Sequence, residues 1–506
     1  MAVPADKLAT SLEALESLQA EGRVAIRSAD LSRTHRERLH EAGFLKDVMK
    51  GWYIASRPDE TAGESTAWYT GFWEFMTQYL EERFEDTWSL SPEQSLILHS
   101  GNRTVPSQLL IRAPSARNKV TEFPHRTSIF EVRANVATGK DLVVVDGMKV
   151  FTIEAALVAV SEAFFRANPI DARAILASVP DASALLAKLL DGGHTRAAGR
   201  LAGAFRNIGN DRIANDILAA MRAALHDVRE TDPFEDVLPV VGVGRPPSPH
   251  VNRIRIMWAK MRADMQGRLP PPRPLPNDID AYLDAVEALY VTDAYHSLSI
   301  EGYRVSRELI ERVRRGDWNP DLNERDREHQ NALAARGYWQ AFQSVKTTIR
   351  TVLEGKNPGT AVNDDIGTWY RELFAPSVTV GLMNPAQLAG YRNGPVYIRR
   401  SMHVPLSVEA VRDCMPAFFE LLAEEGDPAA RIVLGHFIFV YIHPYFDGNG
   451  RTARFLMNVM MAAAGMPWTV VRLEHRDAYM AALETASVRG DIAPFTTLIA
   501  DVISRV

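Results

Sequence analysis

The sequence predicts a multidomain protein: an N-terminal winged helix, an adjoining α+β domain, and a mainly α-helical C-terminal domain with a β-hairpin flap. Three observations predict it. From about Leu8 to Ser56, helix-spaced leucines lead into a pair of β-like runs. Between Thr66 and Glu230, short strand-like runs precede alanine- and leucine-rich helices. A proline-rich stretch then gives way, after Asn277, to helical signals that run to the end. The expected spans are 1–60, 61–235, a linker over 236–279, and 280–506.

Composition bounds the function classes. At 506 residues, 46% hydrophobic and 24% charged, the chain has material for about three cored domains. Its longest apolar runs, such as Ile432 to Ile442, fall short of the ~20 residues a membrane crossing needs, so no membrane partner is expected. MAVPADKLATSLEAL carries an acid early and no basic region, unlike a secretory signal. The single cysteine, Cys414, excludes an intrachain disulfide, and a cytoplasmic location is expected. A net charge of −6 excludes a generally basic nucleic-acid binder but leaves room for a local basic surface.

Leu8, Leu12, Leu15 and Leu18 repeat at helical spacing, and RSADLSRTHRERLHEAG supplies two further short helices ending at Gly43. FLKDVMKGWYIAS then reads as two β runs around Lys50 and Gly51. In a winged helix the segment from Arg33 to His40 enters a DNA groove. Arg33, His35, Arg36 and Arg38 are the candidate DNA contacts; the alternative is a solvated face on a small helical domain.

The second domain opens with the helix-like WYTGFWEFMTQYLEERF, followed by SLILHS, SQLLIRA, SIFEVRA and DLVVVDGMKVFTI, all read as strands. It holds no catalytic cluster; His99, His125 and His194 stand isolated and read as structural or surface residues. On the stretch GFLKDVMKGWYIAS above all, roughly residues 1 to 230 resemble the AbiEi-type antitoxins and transcriptional regulators. That resemblance implies regulation or target binding rather than chemistry.

Pro239, Pro246, Pro247 and Pro249, then LPPPRPLP over Leu269 to Pro276, interrupt helix formation and flank one short amphipathic segment. Beyond them the exception to helical patterning is RNGPVYIRRSMHVPL, Arg392 to Leu406, whose strand-like centre predicts a hairpin.

The chemistry concentrates in YIHPYFDGNGRTARF, Tyr441 to Phe455, a polar loop between two apolar helical runs. Gly448 and Gly450 permit a backbone on which successive N–H groups converge on an anion. Arg451 opens the second helix, whose N-terminus also favours negative charge, and Arg454 lies one turn on along the same face. A phosphate cradle is the natural reading. Asp447, the lone carboxylate there, suits a magnesium ion bridging phosphate oxygens. His443, fixed by Pro444, can take a proton from an incoming hydroxyl. The implied reaction is attack on a nucleoside triphosphate.

His443, Pro444, Asp447, Gly448, Asn449, Gly450, Arg451 and Arg454 together look like the signature of the Fic (filamentation induced by cAMP) family, HPFxDGNGRxxR, with Tyr445 in place of phenylalanine. LAGYRNGPVYI resembles the entry to the Fic flap, which implies that Val396, Tyr397 and Ile398 align a target peptide by strand addition. RDAYMAALETASVRGDIAPF is similar to the family's nucleotide-facing segment, with Tyr479 at the place of an aromatic residue near the base. Ser487 stands there where asparagine is common, and one residue is inserted after it. The resemblance spans roughly residues 280 to 506 and implies a Fic fold.

It further implies that His443 deprotonates a target Ser, Thr or Tyr hydroxyl that attacks the α-phosphorus of ATP. Asp447 would hold Mg2+; Asn449 and the amides of Gly448 and Gly450 would steady the inner phosphates; Arg451 and Arg454 would bind the outer ones. The product is an AMP-modified protein, and self-modification falls within the same chemistry. Glycine at 450, where Doc-type kinases carry a larger basic residue, favours AMP transfer over phosphate transfer.

Upstream, SLSIEG, Ser297 to Gly302, matches the family's inhibitory pattern at the end of a helix. Glu301 beside Arg454 would take that arginine from the γ-phosphate, in cis. Two other functions fit the residues: a winged-helix transcriptional regulator with a nucleotide-sensing Fic domain, and a transferase of another phosphate-containing group on the same fold. A sensor needs no base and metal ligand together, which favours the adenylyltransferase.

Overall fold

The computed structural model describes residues 4–58, 65–136, 139–238, 248–265, 267–317 and 330–504. Two compact units emerge: Met1–Asn252 with Tyr397–Val404, and Arg253–Val396 with Pro405–Val506. The division at Asn252 falls inside the stretch 236–279 expected as a linker.

The first unit opens with α1 (Pro4–Ala20), β1 (Ile26–Arg27), α2 (Arg33–Glu41), β2 (Leu45–Met49) and β3 (Trp52–Ala55). The strands form an antiparallel sheet in the order β1-β3-β2, with a register shift between Asp47 and Met49. Leu15, Ile26, Leu31, Leu39 and Leu45 make its core. Two short helices are expected over 27–43, but only α2 forms. Asp30 accepts the Arg27 N–H at 2.8 Å, a local side-chain bond that closes a turn where the first helix would start. The Ser32 hydroxyl then accepts from the His35 N–H and starts α2.

Next come α3 (Thr66–Phe84), β4 (Ser89–Leu90), α4 (Pro92–His99), β5 (Gln108–Ala113), β6 (Lys119–Phe123), β7 (Thr127–Arg133), β8 (Leu142–Val145) and β9 (Met148–Phe151). One sheet runs β4-β5-β7-β6 with β5 and β7 parallel; β8 and β9 make a separate hairpin through Asp146 and Gly147, both at positive φ. The aromatic face of α3 fills the core beneath: Trp68 stacks on Phe123 at 5.7 Å and donates its indole N–H to the Thr127 hydroxyl. SLILHS, expected as a strand, is the second half of α4. Ser91 caps it, Pro92 occupies its first turn, and Leu96 and Leu98 point into two different cores, which hides the helical period in the sequence. Helices α5 (Ile153–Ala159), α6 (Glu162–Ala167), α7 (Pro169–Ser178), α8 (Ser183–Asp191), α9 (Thr195–Asn207) and α10 (Asp211–Ala223) enclose the second of these cores.

Pro239, Pro246 and Pro247 lie outside the described residues. Among the described residues of the expected linker, α11 (Pro249–Asp264) carries Trp258 and Arg262, both bonded to Glu425, and the Arg273 N–H of the proline-rich run donates to the Ala464 carbonyl at 2.9 Å.

The second unit contains helices and no strand among its described residues: α12 (Ile279–Ile300), α13 (Arg307–Arg315), α14 (Gln330–Leu353), α15 (Pro358–Thr379), α16 (Val408–Glu424), α17 (Pro428–Ile442), α18 (Asn449–Ala463), α19 (Arg476–Arg489) and α20 (Ala493–Ser504). Every residue of α17 from Ile432 to Phe439 is buried, and so is every residue of α18 from Arg451 to Ala462. These two central helices flank the polar loop.

The hairpin expected over Arg392–Leu406 is absent: the segment contains no strand. Pro395 and Pro405 remove donors that a ladder would need. Residues 397–404 bond instead within the first unit, where the Val105 N–H donates to the Met402 carbonyl at 2.8 Å and Met402 and Val404 pack on the α3 core.

Candidate active site

The loop between α17 and α18 is held by its own residues. His443 ends α17 in a left-handed conformation, φ 55° and ψ 61°, and its N–H donates to the Phe439 carbonyl. Asn449, expected to steady phosphates, instead closes the loop: its carbonyl accepts the Tyr445 N–H at 3.0 Å, and its amide donates to the Tyr445 carbonyl at 2.8 Å. The Tyr445 ring stacks on Tyr370 at 3.8 Å, so the tyrosine serves as the ring the loop requires. Gly448 caps α18 at φ 78°, with Phe374 where a side chain would project.

His443 Nδ1 lies 3.3 Å from the Val440 carbonyl, which can only accept, so Nδ1 carries the proton and Nε2 keeps its lone pair. Burial pushes the ring's pKa down, to about 4, with Arg392 adding to the effect and Glu301 and Asp447 opposing it. The imidazole is a neutral base at pH 7.

Asn449, Gly450 and Arg451 are the first three residues of α18, so their N–H groups lack intrahelical acceptors and face an anion-favouring field. Arg451 is buried between the Tyr303 and Phe374 rings, at 5.2 and 5.0 Å, and donates to Asp447 at 3.1 Å. Asp447 itself is 58% exposed and also accepts from the Gly448 N–H.

Arg454 is buried against α12. It donates to the Ser297 hydroxyl at 2.9 Å, to the Ser297 carbonyl at 3.1 Å and to Glu301 Oε1 at 2.7 Å. Burial works against its charge, and the Glu301 carboxylate together with Tyr479 and Tyr338 more than offsets it. The same Oε1 lies over Gly450, so that a Cβ there would collide with it. A carboxylate therefore occupies the mouth of the anion cradle. Gly302 follows at φ 92°, turning the chain out of α12.

One turn back along α12, the Tyr338 hydroxyl donates to buried Asp293 at 2.6 Å; burial pushes that carboxyl up to about 6. Asp293, Ser297 and Glu301 form one stripe. Sequence reasoning missed Asp293, Tyr303, Phe374 and Arg392; spacing along α12 could have found only Asp293.

Tyr479, expected near the base, is buried, and its hydroxyl donates to His436 Nε2 at 2.9 Å. Ser487 is buried on the same helix. Of the flap residues, Val396 belongs to the helical unit, and Tyr397 and Ile398 to the first. The candidate DNA contacts are largely engaged within the first unit. His35 meets the Ser11 hydroxyl, Arg36 donates to the Ser28 carbonyl, Arg38 to the Lys7 carbonyl, and exposed Arg33 to Glu37.

Residues 363–461, which contain this loop, match the Fic/DOC family. The family match lies in that segment. Among similar proteins, the protein adenylyltransferase Fic of Nematostella vectensis is 32% identical over 224 residues, 43% of this chain and 47% of that protein. That of Culex quinquefasciatus is 29% identical over 232 residues, 45% of this chain and 43% of its own length. The protein adenylyltransferase fic-1 of Caenorhabditis elegans is 33% identical over 141 residues, covering 27% of this chain and 26% of that one. The chain thus spans about half, or less, of the length of the curated relatives it matches. No helix among the described residues is long and apolar enough to cross a membrane.

Proposed function

We propose that this chain is a protein adenylyltransferase, transferring AMP from ATP to a Ser, Thr or Tyr hydroxyl of a protein, and that Glu301 holds it in check. The observation that carries the reading is the Glu301 carboxylate, which bonds Arg454 above Gly450. A carboxylate bonded to Arg454 beside the start of a helix supports an outer phosphate binding there. The names of the relatives supply the reaction class.

In this reading His443 Nε2 takes the proton of the target hydroxyl, whose oxygen bonds to the α-phosphorus as pyrophosphate leaves. The open N–H groups of Gly450 and Arg451 stabilise charge developing on the phosphate oxygens, and Asn449 acts by keeping the loop in shape. Arg454 binds the terminal phosphate only after leaving Glu301. The residues fit Mg2+: one exposed carboxylate, Asp447, with phosphate oxygens and water completing the shell, is the usual magnesium donor set. When bound, the ion neutralises phosphate charge. Val396, Tyr397 and Ile398 are proposed to meet the target backbone, and Tyr479 to shape the base end of the site from behind.

The deciding experiment incubates wild type, Glu301→Gly and Glu301→Gly/His443→Ala with α-labelled ATP, Mg2+ and lysate, and identifies the added mass. Labelling by AMP in the Glu301→Gly protein, lost with His443→Ala or on chelation, is expected. Asp447→Ala should raise the Mg2+ needed; an added phosphate or UMP instead of AMP refutes the assignment.

A further inference from the structure

Arg392 is 1% exposed, and no carboxylate is among its partners. Its backbone N–H donates to the Pro444 carbonyl at 2.9 Å, Nε to the His443 carbonyl at 2.8 Å, Nη1 to the Gly394 carbonyl at 3.0 Å and Nη2 to the Leu406 carbonyl. A buried cation without a counter-charge is costly, and burial pushes this guanidinium down to about 10. Three of these four carbonyls hold the charge in place, and the fourth, of Pro444, takes the backbone N–H.

Those carbonyls belong to three places. His443 and Pro444 form the turn that bears the base; Gly394 and Leu406 are the two ends of the flap segment. The last carbonyls of a helix have no intrahelical donor, and Arg392 supplies one to His443 just where the backbone turns left-handed. That turn is disfavoured for a residue with a Cβ and persists only if its surroundings fix it. The Nδ1 contact with Val440, which leaves Nε2 free, depends on the same turn. A planar fork of donors reaches three directions at once, which an ammonium on a flexible stem does not.

We propose that Arg392 is a positioning residue for group transfer, a clamp that ties both ends of the flap segment to the backbone of the base-bearing turn. It touches neither phosphates nor target. The role in transfer rests on the reading of His443 as the base; the clamp itself is a claim about backbone order.

The test uses the full chain carrying Glu301→Gly, alone and with Arg392→Lys or Arg392→Gln. Two readouts are taken: amide hydrogen exchange by mass spectrometry, and AMP labelling resolved into kcat and the KM for ATP. Both variants should exchange faster in peptides covering 392–406 and 441–447, with the 279–300 peptide unchanged. Labelling should lose about tenfold or more in kcat, the scale of a misplaced reacting group, while the KM for ATP stays within about twofold. A general loss of folding would speed exchange everywhere, and Arg392→Lys, which keeps the charge, guards against that. Unchanged exchange in either segment overturns the clamp. So does a defect confined to the KM for ATP. If the Glu301→Gly parent labels nothing, the transfer reading fails, and the exchange data alone decide the clamp.

Discussion

Glu301 Oε1 accepts a 2.7 Å hydrogen bond from Arg454, across 153 positions of sequence, and lies in the space that a side chain on Gly450 would fill. The carboxylate is 24% exposed and the guanidinium is buried, so the pair sits at a mouth open on one side. Ser297 takes two further donors of Arg454 from the same helix. One helix end thereby engages the arginine proposed to bind the outer phosphate.

Replacing Glu301 with glycine should raise AMP labelling at least tenfold, since a charge-assisted bond and a steric block are lost together. Glu301→Gln should be partly active, and Glu301→Gly/Arg454→Ala should fall below Glu301→Gly because both act at one phosphate position. Initial rates of labelling at saturating ATP measure this. Equal rates for wild type and Glu301→Gly would leave SLSIEG as a helix end only.

His443→Ala should cost about 10²–10⁴ in labelling rate with ATP affinity kept, as expected of a proton acceptor. The folded-state pKa lies below the ordinary histidine value, so the ring is neutral at and above the ordinary value and gains a proton only as pH falls toward about 4. The labelling rate of the Glu301→Gly protein should therefore be flat from roughly pH 6 to 8. A fall centred near the usual histidine value would contradict the half-buried, neutral imidazole.

Asn449→Ala removes two bonds to the Tyr445 backbone and leaves buried polar groups without partners. It should destabilise the chain by about 2 kcal/mol, seen as a lower denaturation midpoint with an unchanged slope. A stability equal to wild type, with weaker ATP binding, would return Asn449 to direct phosphate contact.

The basic face of α2 should bind duplex DNA weakly and lose it as salt rises, because phosphate contacts release counterions. Arg33→Ala should reduce the shift most, since Arg36 and Arg38 already donate to backbone carbonyls. A shift that is unaffected by salt, or by Arg33→Ala, would place DNA contact elsewhere; no shift at low salt would make the domain a protein-docking module.

The sequence alone determined the polar loop, because His443, Asp447, the glycines and the arginines are contiguous in it, and its place at a helix start: Asn449 to Arg451 begin α18 wherever α18 packs. It also determined the two central apolar helices, whose burial on every side is written in Ile432 to Phe439. Tertiary structure decided the rest. Leu96 and Leu98 share α4 but serve separate cores, so their pattern imitated a strand. The flap segment formed no hairpin because, between Pro395 and Pro405, its residues found partners in the first unit. Arg451 between Tyr303 and Phe374, and Arg392 among four carbonyls, are invisible in sequence: the two rings and the His443 turn lie far along the chain from the arginines they meet, and carbonyl acceptors carry no side-chain signal.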